Sequence, residues 1–142
     1  MARDQFKDHV IVCGYGIVGE RVVEILQQDK IKIVVIEKDS RKVEFLQDRG
    51  ISVVVGDATS SKTLRDAGIT SAKAIAVVMD DDAKNLFTVI TAKSLNPKIV
   101  ISTRANNEFI KSRLESAGAS FIATPNISAS TELFEEIMKD LG

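Results

Sequence analysis

Short apolar runs alternate with amphipathic segments along the whole chain. The apolar runs are continuous in Val and Ile rather than alternating, which predicts strands buried on both faces of a parallel sheet. Six such strands are predicted, at residues 10–13, 31–36, 51–55, 74–79, 99–103 and 121–124. Six helices are predicted between and after these strands. The first ends near residue 28, and the others lie around residues 40–49, 63–67, 83–96, 108–117 and 128–141. Right-handed crossovers then predict an α/β fold, a doubly wound parallel sheet of order 3-2-1-4-5-6.

Apolar residues at helical spacing predict the buried face of each helix. For the first helix these residues are Val18, Val22, Ile25 and Leu26. For the fourth helix they are Leu86, Phe87, Val89, Ile90 and Ala92.

The first strand ends in three glycines, spaced G-x-G-x-x-G, just before the first helix. A strand, this spacing and a helix are together typical of Rossmann-like dinucleotide binding. Gly14 permits the tight turn, Gly16 lets the backbone approach a pyrophosphate, and Gly19 lets the helix pack close to the sheet. The pyrophosphate would rest on the free N–H groups of the helix N-terminus.

Two carboxylates follow the second and third strands. Glu37 stands where a carboxylate accepts the ribose hydroxyls of adenosine, which favours NAD over NADP, although Lys38 and Arg41 would soften repulsion of a 2′-phosphate. Asp57 would lie beside the adenine or ribose, and it is equally suited to cap the next helix.

The ends of the fourth and fifth strands carry further polar residues. Asp81 or Asp82 is expected to cap the fourth helix, while orientation of the nucleotide and binding of a divalent cation are alternatives for residues 80–82. Arg104 is either a phosphate or carboxylate clamp or a surface ion-pair partner, and we favour the clamp. In an open α/β sheet these strand ends meet at one edge, where ligands bind.

Composition narrows the class of protein. With 142 residues, 44% of them hydrophobic, the chain is long enough for one domain. A net charge of -1 gives no reason to expect nucleic acid or an anionic membrane as a partner. One cysteine and the lack of a signal peptide or long apolar run predict a cytoplasmic protein without direct membrane insertion. Residues 1–8 are polar and are interpreted as a lead-in or linker.

Candidates for catalysis are weak. His9 precedes the first strand, away from the predicted site, and a solvated or structural role is favoured for it over catalysis. Cys13 is interpreted as a small buried hydrophobe. Tyr15 is expected to cover the ligand or pack rather than act as an acid. No Ser-His-Asp order, metal-binding Cys/His spacing or Walker-type lysine is present in the sequence. We therefore predict that the chain has no catalytic residue and no resident metal, and that it is not an enzyme.

Several blocks of sequence carry a more specific signal than the glycines. They are VIVCGYGIVG, VIEKD, VVGDAT, VVMDDDAKNLFTVITAKSLNP, STRANN and AGASFIATPNISAS. From about His9 to the end, the chain resembles the regulator-of-K⁺-conductance (RCK) family, also called the TrkA-N or KTN domain. The strand-4 aspartates, the following Asn85-Leu86 and the strand-5 arginine are the most specific part of the resemblance.

The resemblance implies regulation. Such domains sit on the cytoplasmic face of potassium channels or Trk/Ktr-type potassium transporters, bind NAD(H), ATP/ADP or other nucleotides such as AMP, and gate the pore by a ligand-dependent conformational change. NAD(H) is favoured here. The nucleotide contacts implied by position are Gly14, Tyr15, Gly16, Ile17, Val18, Gly19, Glu37, Lys38, Asp57, Ala58, Thr59, Asp80 and Arg104.

The family also implies a homodimer or larger ring and a C-terminal crossover helix after the sixth strand. The apolar stripe of the last helix fits that helix, with packing on its own sheet and packing on a partner equally open. It consists of Leu133, Phe134, Ile137, Met138 and Leu141. Family members usually continue into a second, smaller lobe, whereas the given sequence ends at Gly142. A piece of a longer subunit and a naturally short subunit are both compatible with this.

Two alternative functions stay open at this point. One is the cofactor-binding domain of an NAD-dependent dehydrogenase without its substrate domain. The other is a scaffold that oligomerises and whose site binds nothing.

Overall fold

The computed structural model describes residues 6–142, so the predicted lead-in at residues 1–8 falls largely outside the described part. Strands and helices alternate throughout. In chain order they are β1 (Val10–Cys13), α1 (Ile17–Gln28), β2 (Ile33–Glu37), α2 (Ser40–Asp48), β3 (Ser52–Val55), α3 (Ser61–Asp66), β4 (Ala74–Val77), α4 (Asp82–Leu95), β5 (Val100–Arg104), α5 (Glu108–Ala117), β6 (Phe121–Ala123) and α6 (Pro125–Leu141).

The six strands form one parallel sheet in the order β3-β2-β1-β4-β5-β6. Central β1 pairs with β2 and β4, so that Val12 lies between Val35 and Ala76. Alternate residues of β1 enter two apolar clusters, Ile11 and Cys13 one of them and Val10 and Val12 the other. The predicted fold class and strand order are thus confirmed, and the order reverses direction between β1 and β4.

Capping residues, a glycine and a proline mark the boundaries of helices α2, α5 and α6. The Asp39 carboxylate accepts from the backbone N–H groups of Arg41 and Lys42 at the start of α2. Asn107 caps α5, and Gly118 ends it with φ of 108°, in the left-handed region that favours glycine. Pro125 stands in the first turn of α6, so this helix begins three residues before the predicted residue 128.

The predicted apolar faces of α1 and α4 are partly wrong. In α1 the buried residues are Gly19 and Val23, while Ile25 is 45% exposed. In α4 Phe87 is 59% and Ile90 51% exposed. The buried face of α4 instead includes polar side chains, because their polar atoms find backbone partners on neighbouring loops. Its members are Asn85, Thr88, Val89 and Ala92.

The described residues before β1 are anchored to the loop that precedes β4. His9 is 1% exposed, and its Nε2 lies 2.7 Å from the carbonyl oxygen of Ala67. The Ser71 hydroxyl donates to the carbonyl oxygen of Phe6 at 2.7 Å, and the Phe6 ring packs at 5.5 Å from the imidazole. The structural interpretation of His9 is therefore confirmed, at the sheet edge opposite the strands' carboxyl ends.

Helix α6 has no buried residue. Its apolar stripe is between 48% exposed at Met138 and 75% exposed at Leu141. None of the helices in residues 6–142 combines the length and apolar composition that a membrane crossing requires.

Candidate functional site

A cleft opens at the carboxyl edge of the sheet, where the strand order reverses between β1 and β4. Its volume is about 210 Å³, and loops from four strands form its walls. The lining residues are Gly14, Tyr15, Gly16, Ile36, Glu37, Lys38, Lys42, Gly56, Asp57, Ala58, Val78, Met79, Asp80, Asp81 and Lys84. This is where an open α/β sheet binds its ligands.

The three glycines have different surroundings. Gly14 has φ of +99°, and its Cα faces the side chain of Met79, so the tight turn requires glycine. A Cβ on Gly16 would meet no atom within 4 Å, so the backbone there is open to the cleft. A Cβ on Gly19 would overlap the carbonyl oxygen of Gly14, which shows that α1 packs directly on the loop.

The Glu37 carboxylate holds the glycine loop against the end of β2. Its Oε1 accepts from the backbone N–H of Tyr15 at 2.9 Å. Its Oε2 accepts from the N–H groups of Lys38 and Asp39, both at 3.0 Å. A carboxylate has about four acceptor positions, so roughly one remains for a ligand hydroxyl.

Asp57 forms a local turn with Thr59 after β3. Its Oδ1 accepts from the Thr59 backbone N–H at 2.9 Å and from the Thr59 hydroxyl at 2.7 Å. These hydrogen bonds, helped by the charges of Lys38 and Lys84, lower the pKa of Asp57 below its ordinary value. Asp57 does not cap α3, as one alternative proposed, because Ser60 occupies the N-cap position.

The three consecutive aspartates after β4 have three different partners. Asp81 caps α4 by accepting from the N–H of Lys84 at 3.0 Å, as predicted for Asp81 or Asp82. Asp80 pairs with Arg104 at 3.2 Å, and Asp82 accepts from the N–H of Asn106 at 2.9 Å. Among residues 6–142, no three His, Cys, Asp or Glu side chains come together as a metal-binding set.

Arg104 reaches the cleft only through Asp80. Its side chain is 12% exposed and donates to Asp80 and, at 2.9 Å, to the Asn106 side-chain oxygen. The ion-pair alternative thus describes this structure, and direct contact with a phosphate stays a prediction. Behind the pair, buried Asn85 bonds to both the N–H and the carbonyl oxygen of Met79.

The structure brings most of the predicted contact residues together around the cleft. Those that line it are Gly14, Tyr15, Gly16, Glu37, Lys38, Asp57, Ala58 and Asp80. The others lie beside or behind the lining: Ile17, Val18, Gly19, Thr59 and Arg104. Ile17 is 91% exposed, whereas Thr59 supports Asp57 from outside the cleft.

Two lysines of the lining were absent from the sequence prediction. Lys42 lies in the first turn of α2 and Lys84 in the first turn of α4, each three residues after the capping aspartate. That spacing from a cap at a strand's carboxyl end was the available signal, because the first turn of such a helix borders the ligand edge.

The remaining candidate side chains have structural surroundings. Burial raises the pKa of the Cys13 thiol, which is fully enclosed, so Cys13 is the small buried hydrophobe that was predicted. Burial also raises the pKa of Tyr15, with a further contribution from the charge of Glu20. The Tyr15 ring packs 6.2 Å from that of Phe45 at the border of the cleft.

Sequence comparison identifies relatives of this chain. The model of the TrkA-N domain matches residues 10–125. An uncharacterized protein of Methanothermus fervidus is 42% identical over 137 residues, 95% of this chain and 22% of that protein. Potassium channel protein 1 of Methanocaldococcus jannaschii is 34% identical over 131 residues, 91% of this chain and 39% of the channel protein. The chain thus spans between about a fifth and two fifths of these relatives.

Solved structures share the fold. The TrkA-N domain of the Escherichia coli inner membrane protein ybaL is 26% identical, with a TM-score of 0.88 over 92% of this chain and 96% of that one. The RCK domain of GsuK is 30% identical, with a TM-score of 0.79 over 95% of this chain and 29% of that one.

More distant structures, below 25% identity, show the shared fold alone. The GsuK channel bound to NAD is 21% identical (TM-score 0.77; 84% of this chain, 22% of that one), and GsuK bound to ADP is 20% identical (TM-score 0.76; 85% and 32%). The Kef CTD of Shewanella denitrificans, in its AMP-bound form, is 22% identical (TM-score 0.79; 94% and 81%). The match of the TrkA-N model over residues 10–125, most of the chain, shows that this chain belongs to the TrkA-N, or RCK, domain family.

Proposed function

We propose that this chain is a regulatory nucleotide-binding domain that gates a potassium channel or potassium transporter through a ligand-dependent change in a dimer or ring. The observation that carries the proposal is the cleft at the sheet's switch point, where the open backbone at Gly16 faces Glu37 and Asp57. The potassium channel relatives supply the kind of pore partner.

The cleft suits an adenine nucleotide, with NAD(H) favoured and ATP, ADP or AMP as alternatives. The pyrophosphate would rest at Gly16 on the first N–H groups of α1, which have no partner within the helix. The adenosine ribose would use the acceptor position left on Glu37, and the adenine would lie near Asp57. Lys38, Lys42 and Lys84 bring positive charge to a wall that otherwise carries carboxylates.

The volume of the cleft determines how much of a ligand it can enclose. Pockets that enclose a small-molecule ligand measure roughly 300–1,000 Å³, whereas this cleft measures about 210 Å³. A dinucleotide would therefore leave part of itself outside the cleft, where a second subunit could cover it. Mononucleotides fit more completely, which keeps ADP and AMP as real alternatives.

The full proposed set of contacts is the one implied by the family resemblance, with the two additional lysines of the lining. Residues 9–142 are proposed as the nucleotide-binding domain and residues 1–8 as its lead-in. We assign no catalytic residue and propose no enzymatic activity; two of the carboxylates beside the cleft, Asp57 and Asp81, are engaged in a turn and in helix capping. We place the domain at the cytoplasmic face of the membrane through its pore partner.

Assembly into a dimer or ring is supported by apolar surface on the later helices. On α6 the stripe from Leu133 to Leu141 is exposed over its whole length, and Phe87 and Phe109 protrude from α4 and α5. Exposed apolar surface of this kind marks contact sites in proteins. Light scattering of the purified protein should give a mass of at least two chains.

Calorimetric titration with NAD⁺, NADH, ATP, ADP and AMP tests nucleotide binding. At least one of these is expected to bind with a Kd below the millimolar range, and Gly16→Asp is expected to abolish binding because its carboxylate enters the phosphate position. Ser61→Asp adds the same charge outside the cleft and should leave binding unchanged. Failure of all five nucleotides would reject the sensing role.

The gating step needs its own measurement. Potassium flux into liposomes that contain the pore subunit together with this domain is expected to change when the bound nucleotide is added. A ligand shifts such an equilibrium only by its differential affinity for the two states. Flux that stays the same with saturating nucleotide would leave a binding domain without a gating role.

A further inference from the structure

A network of polar contacts joins the loop after β4 to the loop after β5. Of the first loop, residues 79–82, Met79, Asp80 and Asp81 line the cleft, and the second loop, residues 104–107, leads directly into α5. Four hydrogen-bonded contacts join one loop to the other, namely Arg104 to Asp80, the Asn106 side chain to Asp80, the Asn106 backbone to Asp82 and Asn107 to Asp82. We call this network the β4–β5 polar bridge.

Asp80 and Asp82 face different donors in the bridge. Arg104 Nη1 donates to Asp80 Oδ1 at 3.2 Å, and the side-chain amide of Asn106 donates to the Asp80 carbonyl oxygen at 2.8 Å. Both oxygens of Asp82 accept from the Asn106 backbone N–H, at 2.9 and 3.0 Å. Asp82 also accepts from the Asn107 side-chain amide at 3.2 Å.

The two side chains of the Asp80–Arg104 ion pair differ in burial, so that one of them is open to a ligand and the other is not. The Asp80 side chain is 90% exposed in the cleft, whereas its partner Arg104 is 12% exposed. Within residues 6–142, the buried Nε of Arg104 has no hydrogen-bond partner. An unsatisfied buried donor is costly, so the position of the guanidinium depends on its bonds to Asp80 and Asn106.

The far side of the bridge controls the start of a helix. Asn107, held by Asp82, is also the N-cap of α5 and accepts from the N–H of Ile110 at 3.1 Å. The next residue but one, Phe109, is 90% exposed on the first turn of that helix. Asp82 is therefore the first residue of α4 and also binds Asn107, the residue that caps α5.

We propose that occupancy of the cleft is coupled through the β4–β5 polar bridge to the first turn of α5, with Arg104 and Asp82 as its positioning residues. This inference rests on the proposed nucleotide-binding function. A ligand that orders Asp80 also orders Arg104 and Asn106, and Asn106 and Asn107 fix the start of α5. The exposed Phe109 surface then reports the state of the cleft although it does not contact the ligand.

Hydrogen–deuterium exchange of the purified protein tests this coupling, with ADP or NAD⁺ as the probe. In the wild type, saturating ligand should slow exchange at residues 14–18 and also, by at least about fivefold, at residues 106–110. Asp82→Ala, which is not part of the cleft lining, should keep the slowing at 14–18 and lose it at 106–110. Glu108→Ala, an acidic residue in the first turn of α5 outside the bridge, is the matched control and should behave as the wild type.

The possible results separate the two proposals. Slowing at residues 14–18 without slowing at 106–110 in the wild type, or slowing at 106–110 that persists in Asp82→Ala, would overturn the coupling. No slowing anywhere with any nucleotide would reject the proposed function instead. In that case the β4–β5 polar bridge is tested by hydrogen–deuterium exchange without ligand. The Asn106 backbone amide should exchange faster in Asp82→Ala than in Glu108→Ala, and equal exchange rates in the two variants would overturn the bridge.

Discussion

Substitution of Gly19 by alanine should destabilise the fold more than the same substitution at Gly16, although both glycines belong to one loop. An added Cβ at Gly19 would overlap the carbonyl oxygen of Gly14 and lie 2.9 Å from its carbonyl carbon, closer than the 3.0 Å that real Cβ atoms keep. It would also lie 3.4 Å from the Val78 side chain. The obstructing atoms are backbone, which cannot rotate away as a side chain can, so α1 would have to move off the sheet.

The size of the effect follows from two opposing contributions. Overpacking of a close contact costs about 1–3 kcal/mol, and this contact belongs at the upper end because backbone obstructs it. Alanine returns up to about 1 kcal/mol of helix propensity relative to glycine. The expected net loss in the free energy of unfolding is therefore about 2 kcal/mol, which corresponds to a fall in Tm of roughly 4–8 °C for a domain of this size.

Gly16→Ala provides the matched control. No atom lies within 4 Å of its Cβ, and the φ of Gly16 is -88°, which alanine adopts without strain. Its cost should stay below about 1 kcal/mol, since alanine is a poorer N-cap than glycine. Its methyl group, however, enters the cleft where the pyrophosphate is proposed to lie.

Urea denaturation followed by circular dichroism measures the stabilities, and calorimetry measures nucleotide binding. Gly19→Ala should lose stability, while Gly16→Ala should keep stability and lose affinity. A Gly19→Ala protein as stable as Gly16→Ala would refute the packing argument. Gly16→Ala that binds nucleotide as tightly as the wild type would refute the placement of the phosphates.

Three further changes test the site and its support. Glu37→Gln should weaken NAD binding by at least roughly tenfold, because it replaces a charged acceptor, whereas Glu44→Gln on the exposed side of α2 should leave calorimetric affinity unchanged. Burial lowers the pKa of His9 from 6.5, so the neutral side chain stabilises the fold above pH 6.5, and this contribution is lost as the pH falls through the lowered pKa. His9→Gln should therefore flatten the decline of Tm between pH 7 and pH 5. An unchanged slope would contradict this assignment. Asn85→Ala should lower the free energy of unfolding by about 1–3 kcal/mol in urea, since it leaves the part-buried N–H and carbonyl oxygen of Met79 without this partner. Asn126→Ala, exposed on α6, should lower it by under about 0.5 kcal/mol.

The strands and their order in the sheet could be predicted from the sequence for a physical reason. A strand buried on both faces must be apolar at every position, so runs such as residues 10–13 and 33–36 stand out from the amphipathic helices between them. Right-handed crossovers then leave few topologies. The glycine loop could be located because Gly14 and Gly19 meet constraints that no other residue satisfies.

Parts of the cleft were harder to predict because they depend on side-chain partners across the sheet. The three aspartates 80–82 look equivalent in the sequence, yet each bonds to a different element. For Arg104 the sequence favours a ligand clamp over an ion pair. The predicted strand order brings the ends of β4 and β5 to one edge, but it does not select Asp80 as the partner of Arg104. Asn85 was noted only as part of the family resemblance, although its two bonds to Met79 hold the wall of the cleft.

The incorrect helix faces carry information about assembly. Helical periodicity predicts that an apolar residue is buried, but it does not say whether the chain's own sheet or another molecule covers it. Phe87 and Ile90 follow the pattern of burial and are exposed, and so does the whole stripe of α6. Full burial of a large apolar side chain stabilises by about 1.5–3 kcal/mol. Because the five residues of that stripe are between 48% and 75% exposed, the part left exposed represents roughly 5–9 kcal/mol that the single chain does not gain. An isolated helix of this length is only marginally stable in water, and α6 gains no buried residue from its own domain. The domain's own sheet thus leaves this stripe uncovered, and the proposed dimer or ring is one arrangement that would cover it.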